Sequence, residues 1–302
     1  MQRRHTALKY GIYFAYWEKY WDADQVKYIK KVKDLGFDIL EVSGALLKNN
    51  TRERLKEIGE MAKAEGVILT CGYGPNAKED LGSADPEVRK NAVAVYTDLL
   101  EKMRIMDIHT FGGGIYSYWP VDYSKPIDKA GDWARSVDGV RTVGKIAGEC
   151  GVDYCLEVLN RFEGYLINTC EECVKFVDEV DEPAVKVMLD TFHMNIEEDD
   201  MIKAIRLAGD KLGHFHVGEN NRKLPGKGRF PWREIGRALQ DIGYQKNVVM
   251  EPFVQMGGEV GSDIKVWRDI SGGATGEQLD RDAKDSVAFL RYAFEGTGGR
   301  LW

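Results

Sequence analysis

The sequence has no excess of basic charge and no long apolar run. Its 42 lysines and arginines face 49 aspartates and glutamates, for a net charge of −7. The basic residues are scattered, whereas a nucleic-acid interface needs a basic surface, so no nucleic acid is expected as a partner. The mean hydropathy is −0.39, and no stretch approaches the roughly 20 consecutive apolar residues of a transmembrane helix. A membrane span is therefore excluded as well.

Targeting signals and cysteines are also scarce. The first residues read MQRRHTA and lead directly into LKYGIYFAYW, with no apolar core or small-residue cleavage site, so no signal peptide is predicted. Residues 1–7 are expected to form a flexible N-terminal extension. Among five cysteines, Cys170 and Cys173 form a CxxC pair, but no second pair or nearby histidine completes a zinc motif. We expect reduced thiols and a cytoplasmic protein.

The sequence does contain a recurring unit of an amphipathic helix, a glycine near its end and a short apolar run. The clearest copies are KDLGFDILEV, KAEGVILTCG, AGECGVDYCLEV, LAGDKLGHFHV and QDIGYQKNVVMEP. Glycine ends a helix in the left-handed conformation, and a continuous apolar run is typical of a strand buried on both faces. Strands are predicted to begin near Tyr10, Phe37, Val67, Ile108, Val152, Val185, Leu212 and Asn247. Helices are predicted near 23–35, 51–65, 86–106, 131–149, 170–180, 199–209, 232–242 and 277–295.

Eight strand–helix units predict an α/β fold, a closed (β/α)8 TIM barrel. The alternative is an open doubly wound sheet, but no glycine-rich dinucleotide fingerprint follows the first strand, and the cluster at 112–114 is weak evidence for phosphate binding. No linker rich in proline, glycine or serine divides the chain, so residues 1–302 are expected to form a single domain. The glycine-rich loop 254–273 either covers the barrel mouth or is a surface insertion.

The last four predicted strands end in acidic or histidine side chains, at the face where barrel active sites lie. Strand five ends at Glu157 and strand six at Asp190; strand seven offers His214 and His216, and strand eight leads to Glu251. Unpaired buried carboxylates are costly, and a shared cation stabilises several at once. We predict a metal site of Glu157, Asp190, His216 and Glu251. His216 is preferred because it lies nearer the mouth, with His214 as a supporting contact.

A simpler interpretation makes each acid a helix N-cap or an ion-pair partner, which suits Asp190 but becomes strained for four successive strand ends. Three carboxylates, one imidazole and no thiolate favour Mn²⁺, with Co²⁺ or Mg²⁺ as alternatives. Glu157 and Glu251 come from well separated strands and could reach opposite faces of one substrate. That arrangement suits removing a proton from one face of a carbon and returning one to the other, through an enediolate stabilised by the metal.

Several longer stretches of the chain form motifs, namely GIYFAYWE, YSYWPVDYSKPIDKAGDW, CLEVLNRFEGYLINT, VKVMLDTFHMNIEED, HFHVGENNRKLPGKG, VVMEPFVQMGG and VWRDIS. They extend from about Leu8 to Phe294. These motifs resemble the ketose 3-epimerases, which are xylose isomerase-like barrels, and among them most closely the D-psicose (D-allulose) and D-tagatose 3-epimerase group. The resemblance implies C3 epimerisation of ketohexoses such as D-fructose to D-psicose, with Mn²⁺ or Co²⁺. It also implies a homotetramer built from dimers, or a homodimer.

The resemblance also implies roles for single residues. Glu157 and Glu251 match the acid–base pair, and the four predicted metal ligands match the ligands of the family. Glu163, His193 and Arg222 match positions that hold the O1–O3 end of the sugar. Without the resemblance, Glu163 and Arg222 would be interpreted as solvated loop charges, and His193 as a polar residue satisfied in a turn.

The far end of the sugar is expected to meet a looser and more apolar region that includes Tyr13, Trp119 and Gly114. Gly114 stands where relatives can carry alanine, and HVGENN lacks the cysteine that some relatives have after the glutamate. These departures leave the preferred ketose open.

Three other functions remain as alternatives. An aldose–ketose isomerase of the xylose or hydroxypyruvate isomerase type would use the same scaffold and a similar enediolate. A nuclease resembling endonuclease IV would need more histidine ligands than this chain offers, and a basic face. A non-catalytic sugar-binding protein would have no use for two carboxylate bases at one carbon.

Overall fold

The computed structural model describes residues 8–295, in which eight parallel strands close into a barrel in sequence order. The predicted (β/α)8 fold is thus confirmed. The strands are β1 (Lys9–Tyr13), β2 (Ile39–Ser43), β3 (Ile68–Gly72), β4 (Thr110–Gly113), β5 (Asp153–Glu157), β6 (Val185–Asp190), β7 (Leu212–Val217) and β8 (Asn247–Met250). Strand β1 pairs with β8 as well as with β2, which closes the ring. Each strand begins within two residues of its predicted start.

Helices surround the barrel and join successive strands. They are α1 (Tyr28–Asp34), α2 (Gly44–Lys48), α3 (Arg52–Glu65), α4 (Pro86–Ile105), α5 (Lys129–Cys150), α6 (Cys170–Val180), α7 (Thr191–Glu197), α8 (Met201–Ala208), α9 (Trp232–Asp241), α10 (Gly258–Asp263) and α11 (Gly276–Glu295). The sequence pattern missed α2, α7 and α10, because helices of five to seven residues are too short to show a clear period. The proposed extension at residues 1–7 lies outside the described part of the chain.

Local signals explain where the helices begin and end. The hydroxyl of Thr51 accepts from the backbone N–H of Arg54 and caps α3, which ends at Gly66 with φ of 65°. Helix α5 begins with Asp128 as its cap and ends at Gly151 with φ of 71°. A side chain would be strained in that left-handed conformation, so glycine at these two ends stops the helix and turns the chain into the next strand.

Apolar side chains from all eight strands and from the inner faces of the helices form one core. Cys170 and Cys173 lie buried with free thiols on α6, the helix that was predicted near 170–180. Among residues 8–295, no helix has the length and apolar character needed to cross a membrane.

Candidate active site at the carboxyl ends of the strands

The four predicted ligands converge at the C-terminal mouth of the barrel. Glu157 is the last residue of β5, Asp190 the last of β6, and Glu251 follows β8 directly. His216 on β7 is the register partner of Asp190, so the two lie side by side. One nitrogen or oxygen from each of the four side chains lies within 4.8 Å of the others. This is the spacing that a shared ion would need.

The donor atoms suit a divalent cation. His216 Nδ1 lies 3.8 Å from Glu157 Oε1 and 3.6 Å from Glu251 Oε1, too far for hydrogen bonds. Both His216 Nδ1 and Glu157 Oε1 are buried without a hydrogen-bond partner among residues 8–295. Buried polar atoms without partners are uncommon, and here they point into one cluster of oxygens and nitrogen. The residues therefore fit a metal ion with a preference for oxygen and imidazole ligands.

Electrostatics within the cluster favour protonation until a cation binds. Burial raises the pKa of Glu157 well above its usual range, and the neighbouring Glu251 carboxylate raises it further. Burial opposes the charged form of His216, but the Glu41 and Glu251 carboxylates raise its pKa well above the ordinary value. A metal ion bound here would therefore displace protons from these two side chains.

Asp190 has two roles. Its Oδ1 accepts a hydrogen bond of 2.9 Å from the backbone N–H of Phe192 and caps α7. Its Oδ2 faces the cluster and lies 3.1 Å from the Arg222 guanidinium. The N-cap interpretation and the ligand interpretation are therefore compatible, since each uses a different oxygen.

Arg222 joins the cluster from the loop after β7. Its Nη1 lies 2.7 Å from Glu251 Oε2, and its Nη2 lies 3.6 Å from Glu163 Oε1. The guanidinium stacks 3.9 Å from the centre of the Phe192 ring, and the backbone has φ of 63°. Left-handed backbone at a non-glycine residue is uncommon. The side chain is only 5% exposed, so Arg222 is a built part of the site and not a solvated loop charge.

His193 is buried beside the cluster as a neutral imidazole. Burial and the neighbouring Arg222 cation lower its pKa to about 3. Its Nδ1 accepts from the backbone N–H of Asn160 at 3.3 Å, which leaves the proton on Nε2. His193 Nε2 lies 3.8 Å from both Glu157 Oε1 and Asp190 Oδ2, so it can donate to an oxygen held at the cluster.

Glu41 is a residue that the sequence reasoning missed. It lies in the middle of β2, is fully buried, and contacts both histidines of β7. Burial alone would raise its pKa, but His216 and His214 hold the pKa well below the usual range. His214 bonds to Glu41 and is no member of the four-residue cluster. A charged residue within the apolar run ILEVS was the available signal.

A cavity of about 390 Å³ opens from the cluster to the barrel mouth. Its wall includes the predicted Tyr13, Trp119 and Gly114, which the structure therefore places at the site. Aromatic rings also line the cavity, among them Trp21 and Trp119, which pack edge to face at 6.2 Å. Lys48 also lines the cavity, a polar contribution that the sequence reasoning did not foresee.

The loop after β8 covers part of this mouth. Asp263 and Ile264, at the end of α10, line the cavity, and Asp263 Oδ2 accepts a 2.8 Å hydrogen bond from Trp21 Nε1. Trp267 in the same loop is 69% exposed. Both interpretations of the loop are partly right, since its first half covers the mouth and Trp267 lies on the surface.

Comparisons with known proteins agree with this geometry. Residues 29–291 match the family model described as xylose isomerase-like TIM barrel. A D-psicose 3-epimerase from Ruminiclostridium cellulolyticum is 59% identical, over 95% of this chain and 98% of its own. The crystal structure of D-psicose 3-epimerase with D-tagatose from Clostridium cellulolyticum H10 superposes with a TM-score of 0.94 at 59% identity, over 95% of this chain and 99% of that one. A crystal structure of D-psicose 3-epimerase in the presence of D-fructose gives a TM-score of 0.94 at 52% identity, over 96% and 100% of the chains.

Proposed function

The chain belongs to the xylose isomerase-like TIM barrels and, within them, to the ketose 3-epimerases of the D-psicose 3-epimerase group, and on this premise we propose how its residues act on a ketohexose. The substrate pair is D-fructose and D-psicose, with D-tagatose as a further substrate. The solved relatives were crystallised with D-tagatose and in the presence of D-fructose, which supports this choice.

Glu157 and Glu251 are the acid–base pair. One carboxylate removes the proton from C3 and the other returns a proton to the opposite face of the resulting enediolate. The observation that carries this assignment is their position at the carboxyl ends of β5 and β8, in one cluster whose ligand atoms lie within 4.8 Å of one another.

Arg222, Glu163 and His193 hold the O1–O3 end of the sugar. Arg222 and the Nε2–H of His193 supply donors, and Glu163 supplies an acceptor; Asn160 Nδ2 orients Glu163 Oε1 at 3.0 Å. The contact of 3.6 Å between Arg222 and Glu163 is loose enough for hydroxyl groups to replace it. Tyr13, Trp119 and Gly114 surround the far end of the sugar, where apolar contacts tolerate differences between ketoses.

Glu157, Asp190, His216 and Glu251 would hold one divalent cation, which would lower the cost of negative charge on the sugar oxygens during deprotonation. We assign Mn²⁺, with Co²⁺ or Mg²⁺ as alternatives, because three carboxylates and an imidazole form a hard-to-borderline site. The orphaned His216 Nδ1 and Glu157 Oε1 support a resident ion.

The direct test is proton exchange at C3. We expect the Mn²⁺-loaded enzyme to incorporate solvent deuterium at C3 of D-fructose, and Glu157→Gln or Glu251→Gln to abolish exchange while the fold is kept. Glu259→Gln, an exposed glutamate on α10, is the matched control and should exchange normally. Near-normal epimerisation in either site variant would rule out the two-base mechanism. Formation of an aldose from D-fructose would favour the isomerase alternative.

The resemblance further supports a homotetramer built from dimers, or a homodimer, as the state of the enzyme. Free thiols at all five cysteines support a reducing compartment, and we propose the cytoplasm. Light scattering of the purified protein gives the oligomeric state directly.

A further inference from the structure

Glu41 lies where a charge is costly. It is the central residue of β2, is fully buried, and its neighbours Leu40 and Val42 belong to the apolar core. Its register partners are Tyr13 on β1 and Thr70 on β3. A buried carboxylate persists only when its oxygens are satisfied, so the contacts of Glu41 indicate what holds it there.

Those contacts reach across the barrel to β7. Glu41 Oε1 lies 2.6 Å from His216 Nε2, and Glu41 Oε2 lies 2.8 Å from His214 Nε2. Thr70 Oγ1 donates to Oε2 at 2.8 Å. An ionised carboxylate only accepts hydrogen bonds, so both imidazoles must carry a proton on Nε2.

The distances between the Glu41 oxygens and the two histidines are those of hydrogen bonds, and they are too short for ligands of a second metal ion. Two ligand atoms at about 2.0–2.1 Å from a tetrahedral ion lie roughly 3.3 Å apart. Glu41 approaches the two histidines at 2.6 and 2.8 Å. The group of Glu41, His214 and His216 is therefore a hydrogen-bonded network attached to the four-residue cluster.

The network determines which atom of His216 faces the cluster. With its Nε2–H bonded to Glu41, His216 presents Nδ1, the buried atom without a partner that lies 3.6 Å from Glu251 and 3.8 Å from Glu157. Nδ1 can coordinate a metal only when it carries no proton, and the Nε2–H tautomer meets this condition. His214 makes the same bond to Glu41 but contributes no atom to the cluster.

We propose that Glu41 is a positioning residue that fixes His216 in the Nε2–H tautomer and aims Nδ1 at the metal. The inference depends on the metal site proposed above. A metal-bound histidine commonly donates its other N–H to a carboxylate, and loss of that partner typically weakens metal binding 10–100-fold. Here one carboxylate serves the ligand His216 and also binds His214, so both imidazoles are held against β2.

The first test is Mn²⁺ titration by calorimetry without any sugar. We expect Glu41→Gln to weaken Mn²⁺ binding about 10–100-fold, because the amide offers a single acceptor oxygen and no charge. Thr70→Val is the matched control, since it removes a bond to Oε2 and leaves His216 on Oε1. We expect its affinity within about threefold of the unchanged enzyme, because the partner of the ligand is kept.

The second test measures the tautomer of His216 directly. A merely structural role of Glu41 would not determine that tautomer. In the Zn²⁺-loaded, diamagnetic protein, long-range ¹H–¹⁵N spectra should show His216 protonated on Nε2 and bound through Nδ1. Binding through Nε2, or Mn²⁺ affinity of Glu41→Gln within about threefold of the unchanged enzyme, would overturn the proposal. If Glu41→Gln does not fold, the spectrum of the unchanged protein still decides. Neither measurement uses the epimerase reaction, so failure of the two-base mechanism would leave this result interpretable.

Discussion

Glu219 provides the sharpest test of how Arg222, the arginine proposed to bind the substrate, is held. This side chain is fully buried in the loop after β7. Its Oε1 accepts from the backbone N–H of Gly226 and from Trp232 Nε1, each at 2.8 Å. Its Oε2 accepts from the backbone N–H of Arg229 at 3.0 Å and of Phe230 at 3.3 Å. Donors from the loop and from the start of α9 therefore converge on one carboxylate.

The same residue also shapes the turn that bears Arg222. The backbone N–H of Arg222 donates to the Glu219 carbonyl at 2.9 Å, and the Glu219 N–H donates to the Lys223 carbonyl at 2.9 Å. Arg222 sits in this turn with its left-handed backbone. Glu219 thus connects to α9 the turn that bears Arg222, whose guanidinium lies at the four-residue cluster.

We expect Glu219→Gln to be strongly destabilising, although it changes one atom. The amide oxygen can replace one carboxylate oxygen, but the amide NH₂ would face two N–H donors and accept from neither. Two hydrogen bonds to a charged acceptor are lost, at about 1.5–3 kcal/mol each, so the free energy of unfolding should fall by about 3–6 kcal/mol. The KM for D-fructose should rise in any surviving folded enzyme, because Arg222 loses its support.

Urea denaturation followed by circular dichroism measures the first effect, and steady-state kinetics with D-fructose measures the second. Glu234→Gln is the control, because Glu234 is an exposed glutamate on helix α9, to which the Glu219 carboxylate is bonded. Its free energy of unfolding should stay within about 0.5 kcal/mol of that of the unchanged protein. A loss of less than about 1 kcal/mol for Glu219→Gln, with unchanged KM, would refute this reasoning, since it falls below the cost of one such bond.

Two further predictions concern protonation. Burial raises the pKa of Asp80 to about 6, so the folded state binds a proton more tightly than the unfolded chain, and stability falls as the pH rises from about 4 through 6. Asp80→Asn should therefore raise the free energy of unfolding at pH 7.5 by about 2–3 kcal/mol and give no gain near pH 4. An effect of the substitution that is equally large at both pH values would contradict this prediction. The raised pKa of Glu157 and of His216 means that protons compete with the metal, so Mn²⁺ affinity should rise with pH. Calorimetry in buffers of different ionisation enthalpy should detect proton release on binding, and pH-independent binding would contradict this.

The barrel could be predicted from the sequence because the signals for its strands and helices are local. A glycine such as Gly66 ends a helix through its own backbone freedom, and the apolar run that follows it already has the composition of a buried strand. The short helices were not predicted because a helix such as α10 has too few turns to show a hydrophobic period.

Glu157, Asp190, His216 and Glu251 were predictable for a related reason. Each follows an apolar run along the chain, and parallel strands of a barrel bring all their carboxyl ends to one face. The roles proposed for His193 and Arg222 needed the family resemblance, because nothing local distinguishes a binding residue in a loop from a solvated charge.

Only the tertiary structure could reveal what Glu41 and Glu219 contact. Glu41 meets His216 across the barrel, 175 positions along the chain, and no local pattern reports which side chains will meet inside a closed ring. Glu219 is defined by four donors that come together only when its loop has folded. Sequence by itself determined the barrel and the atoms available for a metal. Tertiary packing decided how those atoms are oriented. Hydrogen bonds depend on the distances between residues that are far apart in the chain, and the order of amino acids does not contain those distances.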